Sequence, residues 1–340
     1  MAPTLREVAA RAGVSIRTAS NVVNEFARVA PETRARVQRV LDELGYSPNA
    51  AARTLRRGRS GLIALVLPEL DIPYFAELTR AVIAEAARHR YTVVIDQTDG
   101  DRLRERELIM RGSRAALFDG LIFSPLGLGG SDLRDRTSTA PVVLLGERIV
   151  DSGLDHVMID NVAASRAATR HLLELGRRRI AVIGDQPGET FQTARLRTEG
   201  YLAELREAGQ PEDPRLIRQT KFFHRADGAA AMEQLLDLPR PPDAVFCFND
   251  LLALGALRTV LRRGLRVPDD LAIVGFDDIE DGRFSTPSLT TISPDKTQIA
   301  HMAVELLIRR LKGDKAPPAE LRANFRLLVR ESTAGSPRAR

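Results

Sequence analysis

Apolar residues recur with helical spacing over the first 45 positions, and the polar positions between them carry an equally clear pattern. In TLREVAARAGVS, Leu5, Val8 and Ala9 form one stripe, and Thr4 with Glu7 makes a capping box, so a helix is predicted to begin at the fourth residue and stop at Gly13. Ser15 is the next N-cap. On the helix it starts, Ala19, Val22 and Val23 share one arc, while Arg17, Ser20, Asn21 and Asn24 share the opposite one. Pro31 near a first helical position, then Val37, Val40, Leu41 and Leu44 with Gly45 beyond, predict a third helix with both ends marked.

From Gly61 the pattern changes to strand followed by helix, repeated. Continuous apolar runs stand at 62–68, 91–96, 119–125 and 141–146, and a second series stands at 178–184, 242–249 and 270–276. Helical stretches lie between them, including those near 162–175, 193–208, 226–237 and 251–263. Unbroken hydrophobicity marks strands buried on both faces, hence parallel sheets with crossover helices. The expected fold class is therefore α/β: a three-helix headpiece with a hinge segment, then two doubly wound parallel-sheet lobes.

Residues 49–58, NAAARTLRRG, hold alanines and arginines but one large apolar residue, Leu55. A helix this short is marginal without packing, so the segment reads either as a basic linker or as a hinge helix that forms only when held, with Leu55 as an apolar wedge in a DNA minor groove. The expected domains are residues 1–48, a hinge at 49–60, a body at 61–330, and a frayed tail at 331–340. Within the body, one lobe takes 61–160 with 293–320 and the other takes 161–289 with 321–330. The chain is expected to cross between the lobes at Asp160 and Asn161, at 288–294, and near 321–327.

Two helices joined by a glycine turn and braced by a third form the arrangement whose second helix enters the DNA major groove. Arg17 can offer two donors to guanine and Asn21 can pair with adenine, while the hydroxyls of Thr4, Ser15 and Thr18 stand near helix N-termini, where phosphates are favoured. Ile16 flanks the buried arc, so it either packs or touches a thymine methyl. The bland alternative is a bundle with a solvated polar face.

Charge supports the first reading. Residues 1–60 contain 11 Arg against five acidic side chains, a balance of +6 beside +5 for the whole chain, so the body is close to neutral. Neutralising phosphates releases counterions and gives sequence-independent affinity. The single cysteine, Cys247, lies in the apolar run AVFCF and can make neither an internal disulfide nor a zinc site by itself. No cofactor or metal is expected. No apolar run follows an N-terminal basic stretch and none reaches membrane-spanning length, so a cytoplasmic protein without membrane association is expected.

In open parallel sheets, ligands bind beyond the carboxyl ends of the strands. The residues found there are Asp71, Tyr74, Phe75, Glu147, Arg148, Asp185, Asn249, Asp250, Asp277 and Asp278, with Arg197 at the start of a helix. Aromatic faces mixed with carboxylate, amide and guanidinium groups suit a polyhydroxylated ring. Taken singly, Asp185, Asp250 and Asp278 serve equally well as helix caps.

AARAGVSIRTASNVVN and VAPETRARVQRVLDELGYSPNAAARTLRRGRSGLIALVLP resemble the DNA-binding headpiece and hinge of the lactose-repressor (LacI/GalR) family, and a weaker likeness continues to about Val329. The resemblance implies that Ile16, Arg17 and Asn21 read bases. It also implies that Thr18, Asn24, Thr33, Tyr46 and Asn49 meet phosphates and that Leu55 is the hinge lever. In the body, Tyr74, Phe75, Arg148, Arg197, Asn249 and Asp277 are implied to contact an effector. The chain departs from the family at Asn21, usually Arg, at Ala19, often Val, and at Ile72, usually Asn.

The implied protein is a transcriptional regulator, most often a repressor in this family, that binds a near-palindromic duplex operator as a homodimer and responds to a small metabolite held between two lobes. A sugar or sugar derivative is the expected effector, with a nucleoside or purine as the alternative; induction and corepression both remain open. A nucleotide-fold enzyme and a pure solute-binding protein are the rivals. Against the enzyme, no G-x-G-x-x-G follows a strand, no G-x-x-x-x-G-K-[ST] occurs, and no Ser, His and acid arrangement stands out among five histidines.

Overall fold

A computed structural model describes residues 3–23, 29–46, 59–110, 117–136, 138–146, 149, 152–186 and 192–335. The chain divides into two compact units, Met1–Gly61 and Leu62–Arg340.

The first unit contains α1 (Leu5–Arg11), α2 (Ile16–Val23) and α3 (Pro31–Leu44). Thr4 caps α1 through the expected box, its Oγ1 accepting from the Glu7 amide at 3.3 Å while its own amide donates to Glu7 Oε2 at 2.7 Å. Ser15 Oγ accepts from the Thr18 amide at 3.0 Å and so caps α2. Gly13 and Gly45 take φ of +63° and +58°, the left-handed geometry that lets the chain turn sharply after α1 and α3. Val8, Ala9, Ala12, Ala19, Val22, Val37, Val40 and Leu41 make the core. Seven of these eight are Val or Ala, so the three helices approach closely around a small apolar centre.

In chain order the second unit runs β1 (Leu62–Leu67), α4 (Pro73–Arg88), β2 (Thr92–Gln97), α5 (Arg102–Met110), β3 (Gly120–Phe123), α6 (Gly130–Arg134), β4 (Val142–Leu145) and β5 (Asp155–Ile159). It continues with α7 (Asn161–Glu174), β6 (Ile180–Asp185), α8 (Gln192–Glu207), β7 (Ile217–Gln219), α9 (Arg225–Leu236), β8 (Ala244–Cys247), α10 (Asp250–Arg262) and β9 (Ala272–Phe276). Last come α11 (Glu280–Arg283), β10 (Thr290–Pro294), α12 (Lys296–Leu311), β11 (Glu320–Ala323), β12 (Phe325–Leu328) and α13 (Glu331–Ala334). Two six-stranded sheets result, ordered β11-β5-β4-β3-β1-β2 and β12-β10-β9-β8-β6-β7. Every pairing is parallel except β10 with β12. This is the expected class of two parallel-sheet lobes.

Among the described residues, the chain passes between the sheets three times: from β5 into α7, from β10 into α12, and from β11 into β12. Two expectations need correcting here. Residues 321–323 belong to the first lobe, not the second, because β11 pairs with β5 from Glu320↔His156 to Ala323↔Ile159. The segment from 331 does not fray at its start: Ser332 and Thr333 are buried in α13. The Ser332 hydroxyl accepts from the Thr290 amide at 2.8 Å and donates to the Ile273 carbonyl at 2.6 Å, so a segment with little apolar character is held by saturated hydrogen bonding.

A third correction concerns the run YTVVID. It forms the expected strand β2, but at a sheet edge rather than within it, leaving Val94 and Ile95 exposed by 37% and 39%. Close packing sets the inner wall of the second lobe. A Cβ at Gly228 would lie 2.1 Å from the Leu252 carbonyl oxygen and one at Gly255 would lie 1.9 Å from that of Arg225, so these glycines let α9 and α10 touch backbone to backbone.

Candidate nucleic-acid interface and ligand cleft

On α2 the buried arc and the outward arc separate as the pattern requires. Ala19 and Val22 are buried; Arg17 is exposed, and Ser20 and Asn21 are partly exposed on the other side. Ile16 is 45% exposed, which turns it outward with Arg17 rather than into the core. The helix thus presents an apolar contact, a forked cation and two short polar side chains over its first two turns, a set able to meet base edges in a major groove. Thr18 is partly exposed, and its hydroxyl lies 2.9 Å from that of Ser15. Thr4 is exposed with its hydroxyl 3.2 Å from Glu7 Oε2, so capping already uses it. Thr33 is partly exposed near the start of α3, and Tyr46 packs against the headpiece core. Asn24, Asn49 and Leu55 lie outside the described residues, as do Glu147 and Arg148 of the body.

Between the lobes of the second unit opens a cleft of about 470 Å³, a volume suited to a small metabolite. It lies where strand ends of both sheets converge. Tyr74 and Phe75, on the first turn of α4, form one wall with their rings edge to face at 5.3 Å. Phe222, Phe223 and Phe276 line it from the second lobe, together with Lys221, Asn249 and Asp277.

Arg197 forms the floor. It is 7% exposed; its guanidinium lies 3.5 Å from the centre of the Phe276 ring, its Nε donates to Asn161 Oδ1 at 2.7 Å, and its Nη1 donates to the Phe248 carbonyl. Stacking and forked donation together need the planar guanidinium. Asn249 lines the cleft while performing structural duties: its Oδ1 caps α10 by accepting from the Leu252 amide at 2.8 Å, and its Nδ2 donates to the Phe223 carbonyl at 3.0 Å. Asp277 lines the cleft with φ of +113°, a backbone conformation that non-glycine residues adopt only when their surroundings impose it.

Other expected residues go elsewhere. Asp71 is exposed and does not line the cleft, because the chain turns through Ile72 and Pro73 into α4 and directs Tyr74 and Phe75 inward instead. Asp185 accepts from Thr198 Oγ1 at 2.9 Å. Asp250, fully buried, accepts from the Ile279 amide at 2.9 Å and Thr291 Oγ1 at 2.7 Å. Burial, and then the charges of Asp277 and Asp278, push its carboxyl well above the ordinary range. Asp278 is bound by Arg330 at 2.6 Å and Arg283 at 3.1 Å; burial works to raise it, but these partners leave it lowered.

Several lining residues carry no mark in the sequence pattern. Glu69 follows β1 and reaches across the cleft to His224 Nε2 at 2.7 Å. Phe222 stacks on His224 at 5.3 Å and is 46% exposed. Phe222 and Phe223 follow β7, whose polar sequence IRQ conceals a strand, so the strand-end rule had nothing to start from.

Known proteins carry the same combination. A model described as "Bacterial regulatory proteins, lacI family" matches residues 4–49, and a "Periplasmic binding protein-like domain" matches 169–333. The HTH-type transcriptional repressor CytR of Escherichia coli (strain K12) is 35% identical over 338 residues, covering 99% of this chain and 98% of its own length. The chain belongs to the LacI family. It is accordingly a DNA-binding transcriptional regulator whose second unit is an effector-binding domain. Among solved structures, the lac repressor dimer bound to operator and an anti-inducer superposes with a TM-score of 0.81 at 26% identity, covering 98% of this chain and 99% of that one. The CelR–cellobiose complex superposes at 0.71 with 32% identity, covering 97% and 99%. Among the described residues of the regulator, no helix is long and apolar enough to cross a membrane.

Proposed function

We propose that this regulator acts in the cytoplasm as a homodimeric repressor that reads a near-palindromic operator through Ile16, Arg17, Ser20 and Asn21 of α2, and that a sugar or sugar derivative in the interlobe cleft controls it. The observation that carries the reading is the make-up of that cleft: Tyr74, Phe75 and Phe276 offer flat apolar faces, while Arg197, Asn249 and Asp277 bring donors and acceptors to the same space. A pyranose presents an apolar face and a rim of hydroxyls, and that pairing matches. The cellobiose bound by CelR supports the sugar class.

A second reading, a nucleoside effector, is favoured by one observation. Phe222, stacked on His224 and half exposed, offers a further aromatic platform of the size of a base. The dimer is supported by the β2 edge, where Val94 and Ile95 are exposed, and by the exposed Ile83 of the neighbouring α4. Such edges are covered in stable proteins, and a symmetric operator calls for a two-fold partner. The role of the cleft is binding rather than turnover.

Calorimetric titration of the full chain with a panel of mono- and disaccharides and nucleosides tests the cleft. Saturable heat from a sugar, lost in Tyr74→Ala, agrees with the proposal. Binding confined to nucleosides replaces the first reading with the second, and heat unaffected by cleft substitutions removes both.

A further inference from the structure

Two of the five histidines meet on the outer face of the first lobe, away from the cleft residues. Glu85 lies in the last turn of α4 and His89 caps that helix four positions on; His301 and Glu305 stand four apart on α12, which packs against α4. Residues four apart share a helix face, so each helix contributes one carboxylate and one imidazole to the same patch. His89 Nε2 lies 2.8 Å from Glu305 Oε1 and 3.8 Å from Glu85 Oε1, and His301 Nδ1 lies 3.1 Å from Glu85 Oε1. The ligand atoms of Glu85, His89 and Glu305 all fall within 4.8 Å of one another.

These separations match a metal polyhedron. With bonds of about 2.0–2.1 Å, the edges of a tetrahedral zinc site are about 3.3 Å long, and the His89 contacts with Glu305 and Glu85, at 2.8 and 3.8 Å, bracket that length. Two carboxylates and one neutral imidazole would balance a divalent charge. Arg88 Nη1 holds the other oxygen of Glu85 at 3.0 Å, which orients the carboxylate as outer partners of metal ligands do. Imidazole with carboxylate suits zinc and its neighbours, whereas magnesium and calcium take all-oxygen sites.

We propose that Glu85, His89 and Glu305 bind one zinc-class divalent ion, with His301 orienting the Glu85 carboxylate. The ion would join α4, from the chain's first passage through the lobe, to α12, which the chain forms after returning from the other lobe. It thereby staples two distant segments of the sequence.

The test uses the full-length chain without a tag, stripped of metal with a chelator. Isothermal titration with zinc chloride and with magnesium chloride is run beside scanning calorimetry. One zinc per chain, bound in the micromolar range or tighter, with a melting temperature that rises with zinc concentration and no response to magnesium, is the expected result. His89→Ala/His301→Ala should lose both effects while keeping its metal-free melting transition. His301→Ala alone, at a more exposed position, should weaken binding if the double variant fails to fold. His224→Ala should bind zinc as the parent does. Failure of the parent to bind, binding undiminished without His89 and His301, or loss of binding with His224 overturns the site and leaves the four side chains as mutually hydrogen-bonded ion pairs.

Discussion

Arg197 Nε donates to Asn161 Oδ1 at 2.7 Å, which joins the floor of the cleft to the first residue after the chain crosses between lobes. A ligand that engages Arg197 therefore pulls on a group bonded to a hinge position. Coupling of about 1–3 kcal/mol between lobe arrangement and DNA affinity would change operator binding by about 5–150-fold.

Arg197→Ala is expected to lose at least about 2 kcal/mol of effector affinity, roughly 30-fold, because a charged donor is removed from the ligand and its buried partners are left unmatched. Arg197→Lys should not restore it, since an ammonium cannot both stack on Phe276 and serve separate acceptors. Titration calorimetry of the effector and gel-shift measurements on the operator separate the two effects. An unaltered effector response in either variant would remove Arg197 from the mechanism.

Glu69 and His224 bridge the lobes across the mouth of the cleft, with side chains 24% and 41% exposed. A pair so exposed is worth about 0.2–1 kcal/mol, so Glu69→Gln and His224→Ala should each change effector affinity by no more than about fivefold. The double variant should match the larger single effect, because both changes break one contact. Additive effects would show that the two residues act independently.

Asp250 and Asp278 should impose opposite pH dependences. The raised Asp250 carboxyl stays protonated in the folded chain while the unfolded chain ionises, so its contribution falls as pH rises above about 4. The lowered Asp278 carboxyl stabilises above the unfolded value, and that contribution is lost as pH falls through the folded one. Asp250→Asn should therefore gain stability over the parent progressively as pH rises above about 4, until the folded carboxyl itself ionises. Parallel urea-denaturation curves across that range would contradict the assignment.

Ser332→Ala should destabilise the second unit by about 1–3 kcal/mol by leaving the Thr290 amide or the Ile273 carbonyl without its buried partner. Thermal melts of the parent and the variant would compare them directly.

Much of the fold was legible because its signals are local. The capping box at Thr4, the turn at Gly13 and the stripe Ala19, Val22, Val23 each occupy a few neighbouring positions, and the unbroken runs of the inner strands need no partner to be recognised. Where tertiary context decides, the signal disappears. Nothing in YTVVID says that β2 stands at an edge, and the polar IRQ does not announce β7 or the aromatic pair behind it. Asp71 and Glu69 both follow β1, and only the turn into α4 determines which of them reaches the cleft. The His89 and His301 patch was invisible for the same reason: each four-residue spacing is commonplace until α4 meets α12.

We propose that α2 reads a specific sequence and that the cleft controls that recognition. Selection from random duplexes with the full chain, repeated with Arg17→Ala, with residues 61–340 alone, and with a pool of small metabolites, tests it most directly. The expected result is an inverted repeat enriched by the full chain only, an Arg17→Ala protein that discriminates less at one base of each half-site by about 1–3 kcal/mol, and occupancy that changes when the pool is present. Salt-sensitive binding with no enriched sequence, with or without the pool, would contradict it.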